Sequence, residues 1–166
     1  EGTWIVESTC HHPAYTITGI AGKKGFVSVN IDKDMMNAEV GFGRKVLSAF
    51  EENGINFEHM PSGIDTMTEP EFAAKEQAVI SAINRNAHPD SIEIEADLAL
   101  IAVVGRGMKS TRGTAGRIFS ALAHANVNVK MIDQGSSELN IIIGVSDNDF
   151  DTAIKAIYDI FVTTQL

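Results

Sequence analysis

Two short turns carry residue types that could bind a small charged ligand. The first spans Met36-Asn-Ala-Glu-Val-Gly-Phe42 and the second spans Met108-Lys-Ser-Thr-Arg-Gly-Thr114. Each has a glycine where a helix is predicted to begin, and the N–H groups at the positive end of a helix suit a carboxylate. Glu39, Glu58 and Asp65 offer carboxylates to an ammonium group. An amino acid needs both, although a tight turn and close helix packing explain the glycines as well.

The other motifs favour no catalytic chemistry. Cys10-His11-His12 are consecutive, so they cannot all face one tetrahedral ion, and no second ligand pair follows at metal-site spacing. Gly41-Phe-Gly43 and Gly105-Arg-Gly107 lack the third glycine of a dinucleotide fingerprint, and the phosphate-loop motif is missing from the sequence. No Gly-x-Ser-x-Gly elbow is present either. We therefore expect no catalytic residues and no metal site.

An internal repeat must position the two turns. Gly41 to Gly63 aligns with Gly113 to Gly135 without a gap at a constant offset of 72 residues (113 − 41 and 135 − 63). In this alignment Val46 falls on Ile118, Phe50 on Leu122 and Ile55 on Val127, so these apolar positions match apolar positions. A repeat of about 70 residues exceeds a solenoid unit and suits a small α+β module, so we expect two packed copies.

The hydrophobic pattern predicts the same order of elements in both copies. A hairpin opens the chain, with strands at 17–21 and 26–31 joined by Lys23-Lys24-Gly25. Apolar stripes and alternation then predict the remaining elements. These are helix 40–53, strands 55–60 and 64–67, helix 72–85, strand 98–104, helix 114–125, strands 127–132 and 139–145, and helix 149–161. Each copy is β-α-β-β-α with room for one more strand, which is the α+β, ferredoxin-like plan (βαββαβ).

The strand count predicts an interleaved pair. The second copy has only residues 162–166 left for its closing strand, whereas the first copy has a strand to spare at 17–21. We hypothesise that this early strand completes the second copy. The predicted modules are 16–97, with strand 17–21 crossing over, and 98–166.

The composition limits which partners and which cellular compartment we expect for this chain. The chain has 22 acidic and 13 basic residues and a formal net charge of −9, opposite to the basic surface that nucleic acid or an anionic membrane selects. We therefore expect no nucleic-acid or membrane partner. The single cysteine, Cys10, cannot form an intrachain disulfide and suits a reducing cytoplasm.

Several segments, in this order, resemble the tandem ACT-domain regulatory region of an aspartate kinase (aspartokinase). The resemblance covers nearly the whole chain from about Gly2. The segments are Ile17-Thr-Gly-Ile-Ala-Gly-Lys-Lys-Gly-Phe26, Met35-Met-Asn-Ala-Glu-Val-Gly-Phe-Gly-Arg-Lys45, Phe57-Glu-His-Met-Pro-Ser-Gly-Ile-Asp-Thr66, Val103-Val-Gly-Arg-Gly-Met108 and Gln134-Gly-Ser-Ser-Glu138.

The resemblance implies a regulatory fragment of the enzyme that phosphorylates the side-chain carboxylate of L-aspartate with ATP. That step commits aspartate to lysine, threonine and methionine synthesis. Residues 1–15 resemble the linker that leaves the kinase domain. The kinase domain itself, with its ATP and Mg sites, lies outside this sequence. We therefore expect no cofactor and no catalysis in this chain, and feedback control as its role.

The resemblance also implies a site for an amino-acid effector, lysine or threonine, between the first modules of a homodimer. In lysine-sensitive relatives, a loop at a helix start in one chain faces a strand edge of the other. Backbone groups of Gly41 to Gly43 and of Phe57 would bind the α-carboxylate and α-ammonium, and Glu39 or Glu58 would face the ε-ammonium. Carried onto this sequence, the loop comprises Met36, Ala38, Glu39, Val40, Gly41, Phe42 and Gly43, and the edge comprises Phe57, Glu58, Ser62, Gly63, Ile64 and Asp65. Gln134 to Glu138, in the second module, is implied to be structural.

One departure and three alternatives accompany this interpretation. Thr68-Glu-Pro-Glu71 places a proline where relatives continue a strand, which predicts a short third strand in the first module. The alternatives are a free-standing ACT-repeat amino-acid sensor, a dimerisation module that binds no ligand, and a small enzyme on a ferredoxin-like fold. The enzyme is disfavoured because the sequence offers no nucleophile, base and metal set.

Overall fold

The computed structural model describes residues 15–61, 64–68 and 72–162. It forms two compact units. The first unit comprises residues 24–99. The second comprises residues 15–23 together with 100–162. Two long strands run along the chain through both units, β1 (Gly19–Asp32) and β4 (Ser91–Val104). The sequence-based module boundaries at 16–97 and 98–166 stay predictions.

The first unit follows the βαββαβ plan. Between the two long strands, the chain forms α1 (Phe42–Glu52), β2 (Phe57–His59), β3 (Ile64–Thr68) and α2 (Glu76–Ala87). The strand order in this unit is β2-β3-β1-β4. Strands β1 and β3 are antiparallel, with Phe26 opposite Thr68 and Asn30 opposite Ile64. Strand β2 is antiparallel to β3 and lies at the edge.

The core of the first unit lies between its sheet and its two helices. Helix α1 buries one stripe at helical spacing, and α2 buries a second. Both stripes meet the alternate residues of β1 that face the helices. The apolar residues of this core are Val27, Val29, Ile31, Phe42, Val46, Ala49, Phe50, Ile55, Phe72, Val79, Ala82, Ile83 and Ala87.

The second unit repeats the plan. After β4 come a 3₁₀ turn (Arg106–Ser110), α3 (Thr114–His124), β5 (Val129–Asp133), β6 (Asn140–Ser146) and α4 (Phe150–Val162). The strand order is β1-β4-β6-β5, so the first part of β1 lies beside β4, where a closing strand belongs. The Thr18 N–H donates to the Val104 carbonyl at 2.8 Å. The largest fully buried side chains include Ile118, Leu122, Ile141, Ile143 and Ile157.

The predicted opening hairpin is wrong. Residues 19–32 form one continuous strand, and Gly25 adopts φ +80° within it instead of closing a turn. The two halves of β1 do not pair with each other: Phe26 to Asn30 pair with β3, and Thr18, just before β1, donates to the Val104 carbonyl beside β4. Because neither half pairs with the other, a turn at residues 23–25 has no role.

The remaining elements agree with the sequence in kind and differ at their ends. The predicted helix 72–85 is broken, because residues 72–73 are helical, 74–75 form a turn, and α2 runs to Ala87. Strand β3 is described at Ile64–Thr68, and the predicted shortening of this strand stays a prediction, because residues 69–71 lie outside the described residues. Within the described ranges, no helix has both the length and the apolar character needed to cross a bilayer.

Candidate functional site

The predicted binding loop of the first unit, residues 36–43, connects β1 to α1 and is called the effector loop below. Met35, with φ 59°, leads into a 3₁₀ turn at Met36–Ala38. Gly41 then adopts φ +81° as the N-cap of α1, a backbone conformation that favours glycine. The Phe42 N–H donates to the Glu39 carbonyl at 3.4 Å. No side chain caps α1 at Gly41, so the other backbone N–H groups of its first turn lie at the positive end of the helix.

Only part of the predicted strand edge lies at the same end of the sheet as the effector loop. Because Asn30 pairs with Ile64, strand β3 begins where β1 ends, and β2 leads toward that same end. Phe57, at the start of β2, pairs with Met67, which lies opposite Val27. Phe57 and Glu58 therefore lie toward the C-terminal end of α1, away from the effector loop. Ser62 and Gly63 lie outside the described residues. Asp65, described for its backbone, pairs with Val29.

Several apolar side chains in and beside the predicted site are exposed. Val40 is 96% exposed and Met35 is 77% exposed, although Phe42, in the same segment, is buried in the core. On the edge strand, Phe57 is 46% exposed and Glu58 is exposed. The loop and the edge therefore offer apolar contacts and one accessible carboxylate to a partner or a ligand.

Glu39 has two cationic partners, which the sequence analysis missed. Its carboxylate accepts hydrogen bonds and forms ion pairs with Lys33 and Lys45, one oxygen for each. The hydrogen bond from Lys33 and then that from Lys45 lower the pKa of Glu39 from 4.5 to about 2. The negative charge of this carboxylate is therefore already compensated by two lysines of the same chain. The only signal in the sequence is a basic residue six positions away on either side.

The ion pairs predict an acid-sensitive contribution to stability. Because the pKa of Glu39 is lowered on folding, its contribution is present above the ordinary pKa of 4.5 and is lost as pH falls toward about 2. We expect the difference in Tm between wild type and Glu39→Gln to be constant near neutral pH and to shrink below about pH 4.5. Thermal unfolding between about pH 7 and pH 3 measures it. A difference in Tm for Glu39→Gln that stays constant down to about pH 3 would contradict the assignment.

The repeated loop of the second unit lines a cavity of about 330 Å³. Its walls come from the turn before α3 and from the β5–β6 connection, which sequence analysis treated as structural. Residues 134–138 of that connection are exposed in this chain. The lining residues are Met108, Lys109, Thr111, Arg112, Gly113, Thr114, Ala115, Gln134 and Glu138.

A further cavity of the first unit lies at the other end of α1 and does not include the effector loop. It measures about 410 Å³ and shares Phe57 with the predicted site. It is lined by Leu47, Phe50, Glu51, Gly54, Ile55, Asn56 and Phe57. In the part of the chain that the structure describes, no three His, Cys, Asp or Glu side chains form a group able to hold a metal ion. Cys10, His11 and His12 lie outside that part.

Comparison with known proteins agrees with the fold. A family model described as an ACT domain matches residues 101–161. Aspartokinase 3 of Bacillus subtilis is 43% identical over 166 residues, covering 97% of this chain and 36% of the relative. The crystal structure of Clostridium acetobutylicum aspartate kinase superposes with a TM-score of 0.87 at 47% identity, covering 93% of this chain and 37% of that one.

Two more distant crystal structures share the fold alone. The regulatory subunit of aspartate kinase from Thermus thermophilus, in its ligand-free form, has a TM-score of 0.71 at 20% identity, covering 87% of this chain and 97% of that one. E. coli aspartokinase III, in a complex with lysine and aspartate called the T-state, has a TM-score of 0.69 at 17% identity. That match covers 95% of this chain and 35% of aspartokinase III.

The two ferredoxin-like units and the ACT-domain match define the class of protein: a regulatory module of the ACT type. More particularly, the sequence-based resemblance is confirmed, and the chain belongs with the C-terminal ACT regulatory regions of aspartate kinases. The chain spans a little over a third of the length of its Bacillus and Clostridium relatives.

Proposed function

We propose that this chain is the allosteric region of an aspartate kinase and binds an end-product amino acid, L-lysine first, at an interface between two copies. The observation that carries the proposal is the placement of the effector loop and the β2 edge. The effector loop leads into the N-terminal end of α1, whereas Phe57 and Glu58 of β2 lie toward its C-terminal end, so a ligand of amino-acid size would contact both only if a second copy supplied one of them.

Each charged group of an amino acid has a counterpart in this arrangement. The first turn of α1, behind Gly41, offers N–H groups to the α-carboxylate. Glu58, exposed on the edge strand, offers its carboxylate to an ammonium group. The lysine complex of E. coli aspartokinase III, a protein of the same fold, supports lysine as the first ligand to test. Threonine is the second ligand to test, because the sequence resemblance implies lysine or threonine as the effector.

Feedback control would follow from linkage between binding and assembly. An effector that binds between two copies stabilises one mutual arrangement of them, and attached kinase domains respond through its differential affinity for two states. A coupling free energy of about 1–3 kcal/mol is typical of such control. The ATP-dependent phosphorylation of aspartate would belong to the remainder of the parent enzyme.

Thermal unfolding with excess ligand tests the proposal. At 100 times its dissociation constant, a ligand adds about 2.7 kcal/mol to the free energy of unfolding. For a chain of this size we expect L-lysine to raise Tm by roughly 5–10 °C, with L-threonine and L-methionine measured alongside. Sedimentation velocity should show a larger dimer fraction with lysine. Glu58→Gln should lose most of the rise, and Glu93→Gln should keep it.

The outcomes separate the parts of the proposal. A rise with threonine alone keeps the regulatory function and changes the effector. A rise with lysine that is equal in wild type and Glu58→Gln contradicts the role of Glu58. No rise with any of the three amino acids contradicts effector binding by this chain and favours a dimerisation module.

A further inference from the structure

We propose that Lys33 is a positioning residue that locks the effector loop onto the C-terminal end of α2, so that effector binding is transmitted to the α2–β4 connection, residues 88–90. This inference rests on the proposed function, since it concerns the same loop. It assigns the coupling to one side chain that does not belong to the predicted binding set.

Lys33 joins two parts of the first unit that are far apart in the sequence. Its Nζ donates a hydrogen bond to the Ala87 carbonyl at 2.6 Å, and the same Nζ pairs with a Glu39 carboxylate oxygen. The ammonium also lies 5.4 Å from the centroid of the Phe42 ring, within the range of a cation–π contact. One ammonium group therefore contacts the end of α2, the middle of the effector loop and the first residue of α1.

The position of Ala87 makes this contact electrostatically favourable. Ala87 is the last residue of α2, and the carbonyls at a helix C-terminus carry the negative end of the helix dipole. The Lys33 side chain is only 19% exposed, so water screens its contacts less than those of a surface pair. Removing the ammonium would leave both the Ala87 carbonyl and one Glu39 oxygen without this donor.

A second set of contacts joins the same two regions. The Asp34 N–H donates to a carboxylate oxygen of Asp90 at 2.6 Å, and the Asp90 N–H donates to the Asp32 carbonyl at 2.8 Å. The Ser91 hydroxyl donates to the Asp32 carboxylate at 3.2 Å. One backbone hydrogen bond and two hydrogen bonds to carboxylates thus join the entry to the effector loop and the start of β4. Lys33 extends this link to Glu39, inside the loop.

Lys45 provides a contrast within the same cluster. It pairs with the other oxygen of Glu39, but it lies on α1, only six residues along the chain. Its contact with Glu39 is therefore local to the loop and the helix that follows it. Both lysines pair with the Glu39 carboxylate, but of the two only Lys33 also connects it to α2. Comparing the two lysines separates the loss of an ion pair from the loss of the link.

A link of this kind has a direct consequence for ligand binding. If the effector loop in its binding conformation requires Lys33 on Ala87, an effector that selects that conformation also selects the ordered state of residues 88–90. Without Lys33, the effector loop samples other conformations. The apparent affinity for the effector then falls in proportion to the fraction of molecules whose loop is in the binding conformation. The coupling reaches the start of β4 through Asp90 and Ser91.

The test compares Lys33→Met with Lys45→Met by calorimetric titration of L-lysine and by hydrogen exchange with mass spectrometry. We expect Lys33→Met to weaken lysine binding about tenfold or more and Lys45→Met by about threefold or less. In wild type and Lys45→Met, lysine should slow amide exchange at residues 88–90. In Lys33→Met this protection should be lost. Lys33→Arg, which keeps the charge and the donors, should recover most of it.

Ligand-free exchange keeps this inference distinct from the proposed function. If wild type binds no amino acid, the proposed function fails. The link that Lys33 makes between the effector loop and α2 is then tested by hydrogen exchange in the ligand-free chain. There, Lys33→Met should speed exchange both in the effector loop and at 88–90, and Lys45→Met should not speed it at 88–90. Equal exchange at 88–90 in wild type and Lys33→Met, or equal lysine affinities and protection in the two lysine variants, would overturn the proposal. Thermal unfolding of each variant verifies that it folds.

Discussion

Replacing Gly105 by alanine should lower the stability of the second unit sharply. A Cβ at residue 105 would lie 2.1 Å from the carbonyl oxygen of Thr16 and 2.7 Å from the Cα of Ile17. Gly105 has φ −178°, an extended conformation open to any residue, so the penalty would come from steric overlap alone. Both neighbours are backbone atoms and cannot move aside by changing a rotamer. Overpacking of this kind costs about 1–3 kcal/mol, and we expect the upper end of that range.

Thermal and urea unfolding measure this effect, with Gly116→Ala as the matched control. A loss of about 3 kcal/mol corresponds to a Tm lower by roughly 6–12 °C in a chain of this length. Gly116 lies in α3, in the same unit, and a Cβ there meets nothing within 4 Å. Gly116→Ala should therefore leave the free energy of unfolding unchanged or raise it by up to about 1 kcal/mol, with a Tm that is equal or higher. A Gly105→Ala variant as stable as wild type would show that the 15–17 segment does not pack against this glycine.

The steric argument also explains a motif that the sequence left ambiguous. Gly105-Arg-Gly107 resembled a piece of a nucleotide-binding loop. A Cβ at Gly107 would lie 2.7 Å from the Cα of Thr16 and from the Tyr15 carbonyl oxygen, and both glycines are buried. The glycines are thus required where the 15–17 segment passes over the end of β4, which accounts for them without a phosphate.

Truncating Phe50 should cost more stability than any substitution in the candidate site. Its side chain is 1% exposed in the core of the first unit, at the position that the repeat matches with Leu122. Phe50→Ala would remove the ring and leave a cavity, at a cost of about 3–5 kcal/mol. That corresponds to a Tm lower by roughly 6–20 °C, which thermal unfolding would detect readily. A change below about 1 kcal/mol would contradict the packing of this core.

Phe57→Ala is the matched comparison, because it removes the same ring from an exposed position. Phe57 is 46% exposed on the edge strand, so its loss should cost well under the Phe50 value, about 1 kcal/mol or less. If β2 forms half of the effector site, Phe57→Ala should reduce the rise in Tm with lysine while the ligand-free Tm stays near that of wild type. The two variants therefore separate a core role from a binding role.

The sequence predicted the local architecture well, for a definite physical reason. A helix that packs on a sheet must bury a stripe at a spacing of three and four residues, and Phe42, Val46 and Phe50 show that stripe directly. The repeat added a second, independent copy of the pattern. Gly41 and Gly113 were also recognisable as helix starts, and both adopt φ +81°. These features depend on residues close together in the chain, so the sequence contains all that decides them.

Tertiary structure alone decided which strands pair and which charges meet. Lys23-Lys24-Gly25 resembled a hairpin turn, but β1 is one continuous strand that lies between β3 and β4. That choice depends on partners distant in sequence, which a local turn signal does not contain. Likewise, Glu39 was predicted to be available for a ligand, whereas Lys33 and Lys45 hold its carboxylate. Lys33 is placed there because its ammonium also contacts Ala87, and a spacing of 54 residues leaves no periodic trace in the sequence.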